Sequence, residues 1–231
     1  MVGVTESDVR PRLKVCCIAD IEEAELAINR GANAVGLVSE MPSGPGVISD
    51  DCIEEIAAKI PSGISTFLLT SSRDVQAIVD QLRRGGVNTV QLCDGLPPEE
   101  VLELRRLMPG ISIVQVIHVV GNEALDQAKM AAQAAHALLL DSGDPAKAVK
   151  QLGGTGRIHD WAVSRKIRDE VEVPVWLAGG LTPDNVREAV RQVQPFGVDV
   201  CSGLRTNGRL DEEKLIRFVQ NIDAEMRSPS S

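Results

Sequence analysis

Aromatic side chains are scarce in this chain, at 2% of 231 residues, and tyrosine is missing altogether. The hydrophobic core must therefore consist of Val, Ile, Leu and Ala, the residues that fill parallel β-sheets buried on both faces. Hydrophobic residues still amount to 43% of the chain, and its length suffices for one full core. The composition indicates a single globular domain with an aliphatic interior.

Positive charge is also in deficit, because the formal net charge is −9. Nucleic acids and anionic membranes are bound through clustered Lys and Arg, so we expect neither as a partner. An anionic small molecule is not excluded, since backbone N–H groups at helix N-termini bind phosphate without side-chain charge. No apolar run reaches the length of a transmembrane helix.

The cysteines lack the pattern of a disulfide framework or a zinc site. Their number is odd, and none of their spacings is C-x2-C. They are Cys16, Cys17, Cys52, Cys93 and Cys201. Residues 1–11 are polar and lack the apolar segment of a secretory signal. We therefore expect a cytoplasmic protein with free thiols and no metal.

Short apolar segments alternate with amphipathic stretches along the chain. Strands are predicted at residues 13–17, 34–39, 65–69, 89–92, 112–118, 137–141, 173–178 and 198–202. Residues 22–30 and 75–84 show helical periodicity, and the predicted N-caps are Asp50, Ser72, Thr182 and Asp211. This alternation, repeated over the whole chain, predicts a (β/α)8 TIM barrel at residues 12–226. Residues 1–11 and 227–231 are expected to be frayed tails.

Chemically active residues follow several of these predicted strands. Cys16 and Asp141 come after apolar runs, and the parallel strands of a barrel would bring both to one rim. Glycine-rich turns follow later strands and predict a phosphate site at Gly154, Gly156, Gly179, Gly180, Ser202 and Gly203. The alternatives are a buried structural Cys16, a capping role for Asp141, and ordinary tight turns.

Strand alternation places Lys14 and Cys16 on one face of the first strand, and Val15 and Cys17 on the other. A lysine inside a barrel needs a partner. Asp199 lies on the last strand, which neighbours the first when the barrel closes. We therefore predict a Lys14–Asp199 ion pair, with a solvent-facing Lys14 as the alternative.

The chain resembles the phosphoribosylanthranilate isomerase family, the tryptophan-biosynthesis barrel. The matching segments run in family order and cover most of the chain. They are KVC at 14–16, GANAVG at 31–36, VQL at 90–92, LLD at 139–141, GGTG at 153–156, DW at 160–161, AGGLTPDNV at 178–186 and PFGVDVCSG at 195–203. No single segment is decisive, but the ordered set is specific.

The resemblance implies an Amadori rearrangement of N-(5-phosphoribosyl)anthranilate to 1-(2-carboxyphenylamino)-1-deoxyribulose 5-phosphate. It assigns Asp141 as general acid on the furanose oxygen and Cys16 as general base at C2′. It implies no metal and no organic cofactor. A small phosphorylated substrate is the expected partner, and the protein is expected to be a monomer or a homodimer.

The chain departs from the family pattern near the site. The family has glycine after the catalytic cysteine, where Cys17 stands, and His-Gly where Cys93-Asp94 stands. Its loop after the second strand normally carries an arginine for the anthranilate carboxylate, but residues 40–49 contain no basic residue. Arg205, which replaces an acidic residue after the last strand, is our candidate for that contact, and a solvated loop arginine is the alternative.

Two other functions are consistent with these departures. One is a paralogous sugar-phosphate isomerase that acts on a different N-substituent. The other is a non-catalytic barrel that binds a phosphorylated ligand. The retained Cys16 and Asp141 argue against the second.

Overall fold

The computed structural model describes residues 10–42, 44–121, 123–143 and 159–226. Gly154, Gly156, residues 227–231 and most of residues 1–11 lie outside these ranges. Eight parallel strands form a closed barrel in chain order, as predicted. The strands are β1 (Arg12–Val15), β2 (Ala34–Val38), β3 (Ser65–Thr70), β4 (Thr89–Leu92), β5 (Ser112–His118), β6 (Ala137–Asp141), β7 (Val175–Leu177) and β8 (Gly197–Val200).

Helices follow the strands and pack around the barrel. They are α1 (Ile21–Asn29), α2 (Asp50–Lys59), α3 (Val75–Gly85), α4 (Pro98–Leu107), α5 (Glu123–Ala132), α6 (Trp161–Glu170), α7 (Val186–Val193) and α8 (Glu212–Met226). A short 3-10 helix at Ser202–Leu204 and two-residue strands at Arg205–Thr206 and Arg209–Leu210 follow β8. Among the described residues, no helix is both long enough and apolar enough to cross a membrane.

Closure of the barrel depends on the pairing of β1 with β8. Lys14 is in register with Asp199, and Val15 is in register with Val200. The other side of β1 pairs with β2. The predicted first strand was too long, because β1 ends at Val15 and Cys17 adopts a left-handed φ of 61°.

Alternate residues of each strand face two different apolar layers. Ala34, Leu139 and Trp176 belong to the layer that fills the inside of the barrel. Val35 and Leu138 belong to the layer between barrel and helices. Both faces of a parallel sheet are covered in this way, which explains the aliphatic strands.

Three of the four predicted helix N-caps were wrong. Only Asp211 was correct, since its carboxylate accepts a hydrogen bond from Lys214 N–H. Ser49 rather than Asp50 caps α2, Asp74 rather than Ser72 caps α3, and Asn185 rather than Thr182 precedes α7. Ser49 and Asp74 lie within two residues of the predicted caps, because neighbouring polar residues offer the same side-chain acceptors, whereas Asn185 makes no side-chain capping bond.

Candidate active site

The carboxyl ends of β1, β4 and β6 carry the chemically active side chains. Cys16 is two residues beyond Lys14, Cys93 is two residues beyond Gln91, and Asp141 ends β6. All of them occupy the alternating strand positions whose side chains face the inside of the barrel. Cys16 and Asp141 are 6% and 7% exposed. Both residues are therefore almost completely shielded from solvent at the rim.

A buried ion pair forms the floor of this site. Lys14 Nζ donates hydrogen bonds of 2.8 Å to Asp199 Oδ2 and to Gln91 Oε1. Its ammonium also lies 4.8 Å from the centre of the Phe67 ring. Burial opposes the charge, but the charge of Asp199, the charge of Cys16 and the hydrogen bond to Asp199 together raise the pKa of Lys14 above its ordinary value. Lys14 therefore stays cationic inside the barrel.

Cys16 lies directly above this cation. Lys14 Nζ is 3.7 Å from Cys16 Sγ. Gly36 on the neighbouring strand leaves the space for the thiol, since a Cβ there would lie 2.8 Å from the sulfur. An ammonium group at this distance attracts the negative charge of a thiolate. The arrangement places the Cys16 thiol beside a fixed positive charge.

Asp141 is placed differently from Cys16. Burial raises the pKa of its carboxyl above the ordinary value, although a 2.7 Å hydrogen bond from Ser142 N–H acts in the opposite direction. His118, Asp199 and Lys14 also act on this carboxyl through their charges. Asp141 and Cys16 thus both lie near Lys14 at the rim, in a region that is called the chamber here. A carboxyl with a raised pKa can stay protonated and donate that proton.

The glycine loops after β7 and β8 lie beside this chamber. Gly179 and Gly180 have left-handed φ values of 81° and 64°. A Cβ on Gly179 would lie 2.9 Å from Ser142 N, and one on Gly203 would clash with Leu181 O. Glycine therefore lets these backbones approach closely. Ser202 is exposed at the start of the 3-10 helix.

Two histidines at the same rim had no role in the sequence analysis. His118 donates from Nε2 to Cys93 O at 3.2 Å, and its buried Nδ1 has no hydrogen-bond partner among the described residues. His159 Nε2 is hydrogen-bonded to Ser164 Oγ at 2.7 Å, while its buried Nδ1 has no partner within the described ranges, which leave out residues 144–158. Burial lowers the pKa of His159 to about 4. Strand parity could have pointed to His118, but no sequence signal marked His159.

Residues 13–221 match the family model described as "PRAI: N-(5'phosphoribosyl)anthranilate (PRA) isomerase". The chain belongs to this family. An N-(5'-phosphoribosyl)anthranilate isomerase of Methanosarcina mazei is 40% identical over 210 residues, which cover 90% of this chain and 92% of that protein. The corresponding protein of Haloarcula marismortui is 37% identical and covers 91% of this chain and 95% of its own.

Solved structures of phosphoribosylanthranilate isomerases have the same fold. The enzyme from Thermotoga maritima has a TM-score of 0.79 and 28% identity, and the match covers 93% of this chain and 99% of that one. Another structure, in complex with reduced 1-(o-carboxyphenylamino)-1-deoxyribulose 5-phosphate, has a TM-score of 0.77 and 26% identity, with the same two coverages. The family resemblance of the sequence is thereby confirmed.

Cys17 stands where the isomerase family is expected to have glycine, and its backbone adopts a conformation that favours glycine. Its φ of 61° lies in the left-handed region, which costs a non-glycine residue roughly 1–2 kcal/mol. Gly46, itself at φ 79°, packs so closely against Cys17 that a Cβ there would clash. Hydrogen bonds to Cys16 and Cys201, and then burial, raise the pKa of the Cys17 thiol. The prediction that Cys17 faces away from Cys16 was wrong, because Cys17 belongs to the inner layer.

Cys93 replaces the family histidine after β4 with a neutral group. Burial, followed by the charge of Cys16, raises the pKa of this thiol to about 12. Gln91 Nε2 donates to its sulfur at 3.7 Å. Cys93 therefore shapes the chamber and carries no charge at neutral pH.

Arg205, the sequence-based candidate for a contact with a substrate carboxylate, is engaged inside the protein instead. Its guanidinium pairs with Glu23 at 3.1 Å, and the two side chains are only 10% and 4% exposed. It also donates to the backbone carbonyls of Gly208, Cys16 and Cys17. With its donors used inside the protein, Arg205 fastens the loop after β8 to β1 and α1. The solvated loop arginine considered as the alternative is not what the structure shows either.

Replacing Asp141 by Asn tests the burial of this carboxyl. Because its folded-state pKa lies above the ordinary 3.8, the folded protein binds the proton more tightly and loses stability as the pH rises through the folded value. Asn keeps the acceptor for Ser142 N–H but cannot ionise. Asp141→Asn should therefore melt at a higher temperature than the parent at about pH 8, and the difference should vanish near pH 3. A parent that melts higher than the variant at about pH 8 would contradict this.

Proposed function

We propose that this chain is an intramolecular aldose–ketose isomerase of tryptophan biosynthesis. It converts N-(5-phosphoribosyl)anthranilate to 1-(2-carboxyphenylamino)-1-deoxyribulose 5-phosphate. The observation that carries this proposal is the placement of Cys16 and Asp141 around the buried cation of Lys14. The proposal is supported by membership of the isomerase family over residues 13–221.

Asp141 acts as the general acid in this reaction. It protonates the furanose ring oxygen, the C1′–O bond breaks, and the nitrogen lone pair forms the open-chain Schiff base. Burial raises the pKa of this carboxyl, which favours the protonated form that the step uses. The proton can return from solvent after product formation, since the site is at the open end of the barrel.

Cys16 acts as the general base in the next step. Its thiolate removes the C2′ proton of the Schiff base, and the electron pair moves to give the C1′=C2′ enolamine. Reprotonation at C1′ then yields the ketone. The ammonium of Lys14, 3.7 Å from the sulfur, stabilises the thiolate that this step requires. Acid–base chemistry suffices for both steps, so the mechanism uses no cofactor and no metal.

The loops after β7 and β8 hold the substrate phosphate. Gly179 and Gly180 have the left-handed backbone that lets N–H groups converge, and Ser202 and Gly203 adjoin them at the end of β8. Loops at this position form the usual phosphate site of such barrels. Gly154 and Gly156 belong to the same proposal, although they lie outside the described residues.

A paralogous isomerase with another N-substituent is the second candidate. It is favoured by the loop between β2 and α2, which has no basic residue for a carboxylate. For either function we propose a small phosphorylated substrate, no nucleic-acid or membrane partner, and a monomer or homodimer. All five cysteines are free thiols, which supports a cytoplasmic location.

The function can be tested by rescue of a bacterium that lacks phosphoribosylanthranilate isomerase. The chain should restore growth without tryptophan, and Cys16→Ser should lower turnover by about 100-fold or more. Cys52→Ser is the matched control, because Cys52 lies on α2 in the outer layer, away from the chamber. Failure of the parent chain to rescue, or full turnover by Cys16→Ser, would overturn the proposal.

Inorganic phosphate should compete with substrate and raise the melting temperature. A bare anion binds weakly, so we expect the effects at about tens of millimolar phosphate, against sodium chloride of equal ionic strength. Ser202→Asp places a negative charge beside the proposed site and should abolish both effects. Identical responses of the parent and Ser202→Asp would argue against phosphate binding at these loops.

A further inference from the structure

The substrate of the proposed reaction carries a carboxylate on its aryl ring. Removing that carboxylate from water without a cationic or hydrogen-bonding partner is costly. This inference therefore rests on the proposed function. The partner must come from the carboxyl-end rim of the barrel, where Cys16 and Asp141 lie.

Basic side chains are few in the described loops of that rim. The loops after β1, β2, β4, β5 and β7 contribute none from their described residues. The loop after β8 contributes Arg205 and Arg209, which pair with Glu23 and Asp20. The loop between β3 and α3 contributes Arg73.

Arg73 differs from these two arginines in having its guanidinium free. The residue is exposed. Within the described parts of the chain, its side chain makes no hydrogen bond and no ion pair. A planar guanidinium with unused donors can bind a carboxylate through two parallel hydrogen bonds.

The position of Arg73 around the barrel fits the shape of the substrate. The strands close in chain order, so the β3–β4 side lies opposite the β7–β8 side. A substrate with its phosphate at the loops after β7 and β8 crosses Cys16 and Asp141 and ends with its aryl group at β3–β4. We propose that Arg73 binds the aryl carboxylate of the substrate.

The backbone on both sides of Arg73 is held by local hydrogen bonds. Ser72 N–H donates to Thr70 Oγ1 at 3.2 Å, and Asp74 N–H donates to Ser72 Oγ at 3.2 Å. Asp74 then caps α3 by accepting from Ala77 N–H at 2.8 Å. These hydrogen bonds hold the short loop from which the long side chain of Arg73 extends.

The adjacent loop after β2 contains no Lys or Arg that could bind the carboxylate in place of Arg73. It folds back on its own strand through a bridge between Val38 and Val47. Val47 is 46% exposed and offers apolar surface suited to an aromatic ring. Because β2 and β3 are paired, this surface and Arg73 lie on neighbouring loops.

The test compares Arg73→Ala and Arg73→Lys with the parent on two substrates. One is N-(5-phosphoribosyl)anthranilate, and the other is the phosphoribosyl derivative of aniline, which lacks the carboxylate. Arg73→Ala should raise KM for the first by roughly tenfold or more and leave its kcat near the parent value, as loss of a charged hydrogen bond in both ground and transition states predicts. KM for the aniline compound should not change, and Arg73→Lys should recover part of the loss.

Arg83→Ala is the matched control. Arg83 is exposed in the last turn of α3, at the opposite end of the same helix, and should leave both KM values unchanged. Melting temperatures of all variants exclude unfolding as the cause. Equal effects of Arg73→Ala on both substrates, no effect on either, or the same loss in Arg83→Ala would overturn the assignment. A parent chain that turns over neither compound would refute the proposed function and the Arg73 assignment with it.

Discussion

The buried ion pair between Lys14 and Asp199 is the interaction on which the rest of this structure depends. It spans the seam where β8 meets β1, so it lies at the point where the barrel closes. Lys14 is fully buried, and desolvation of two charges costs several kcal/mol per ion unless their geometry is good. Gln91 and the face of Phe67 supply additional contacts to the ammonium, while Asp199 Oδ1 has no hydrogen-bond partner in the described part of the chain.

Lys14 lies close to both proposed catalytic groups, but the two groups have different surroundings. Cys16 Sγ contacts Lys14 Nζ directly. Burial is the main cause of the raised pKa of Asp141, and the charge of Lys14 makes only a minor contribution, which lowers that pKa. A base that must become negative and an acid that must stay neutral can thus border one chamber. The proposed chemistry depends on a charge that is fixed in an aliphatic interior, where charge interactions are strong.

The barrel and the central pair could be predicted from the sequence because both follow from periodicity. Repeated apolar segments gave eight strands, and alternation within the first strand paired Lys14 with Cys16 on one face. The end of that strand could not be predicted in this way. Cys17 turns left-handed where a side chain usually prevents it, and the glycine that accommodates it, Gly46, lies on another loop.

Long-range partners were the other limit of sequence reasoning. Arg205 was expected to face a ligand, but its partner is Glu23, 182 positions away in the chain. Nothing in the local pattern distinguishes a buried arginine from an exposed one at a strand end. The prediction of helix caps was wrong for a local reason, since adjacent polar residues such as Ser49 and Asp50 offer equivalent hydrogen-bond acceptors.

A double-mutant cycle on the central pair tests this account most directly. Lys14→Met leaves Asp199 buried without a cation and should lower the free energy of unfolding by about 3–5 kcal/mol, and Asp199→Leu in the same chain should restore most of that loss. The account predicts that the double variant regains stability but not turnover, because Cys16 no longer has a cation beneath it. Turnover near the parent value in a stable double variant would contradict the catalytic part of the account.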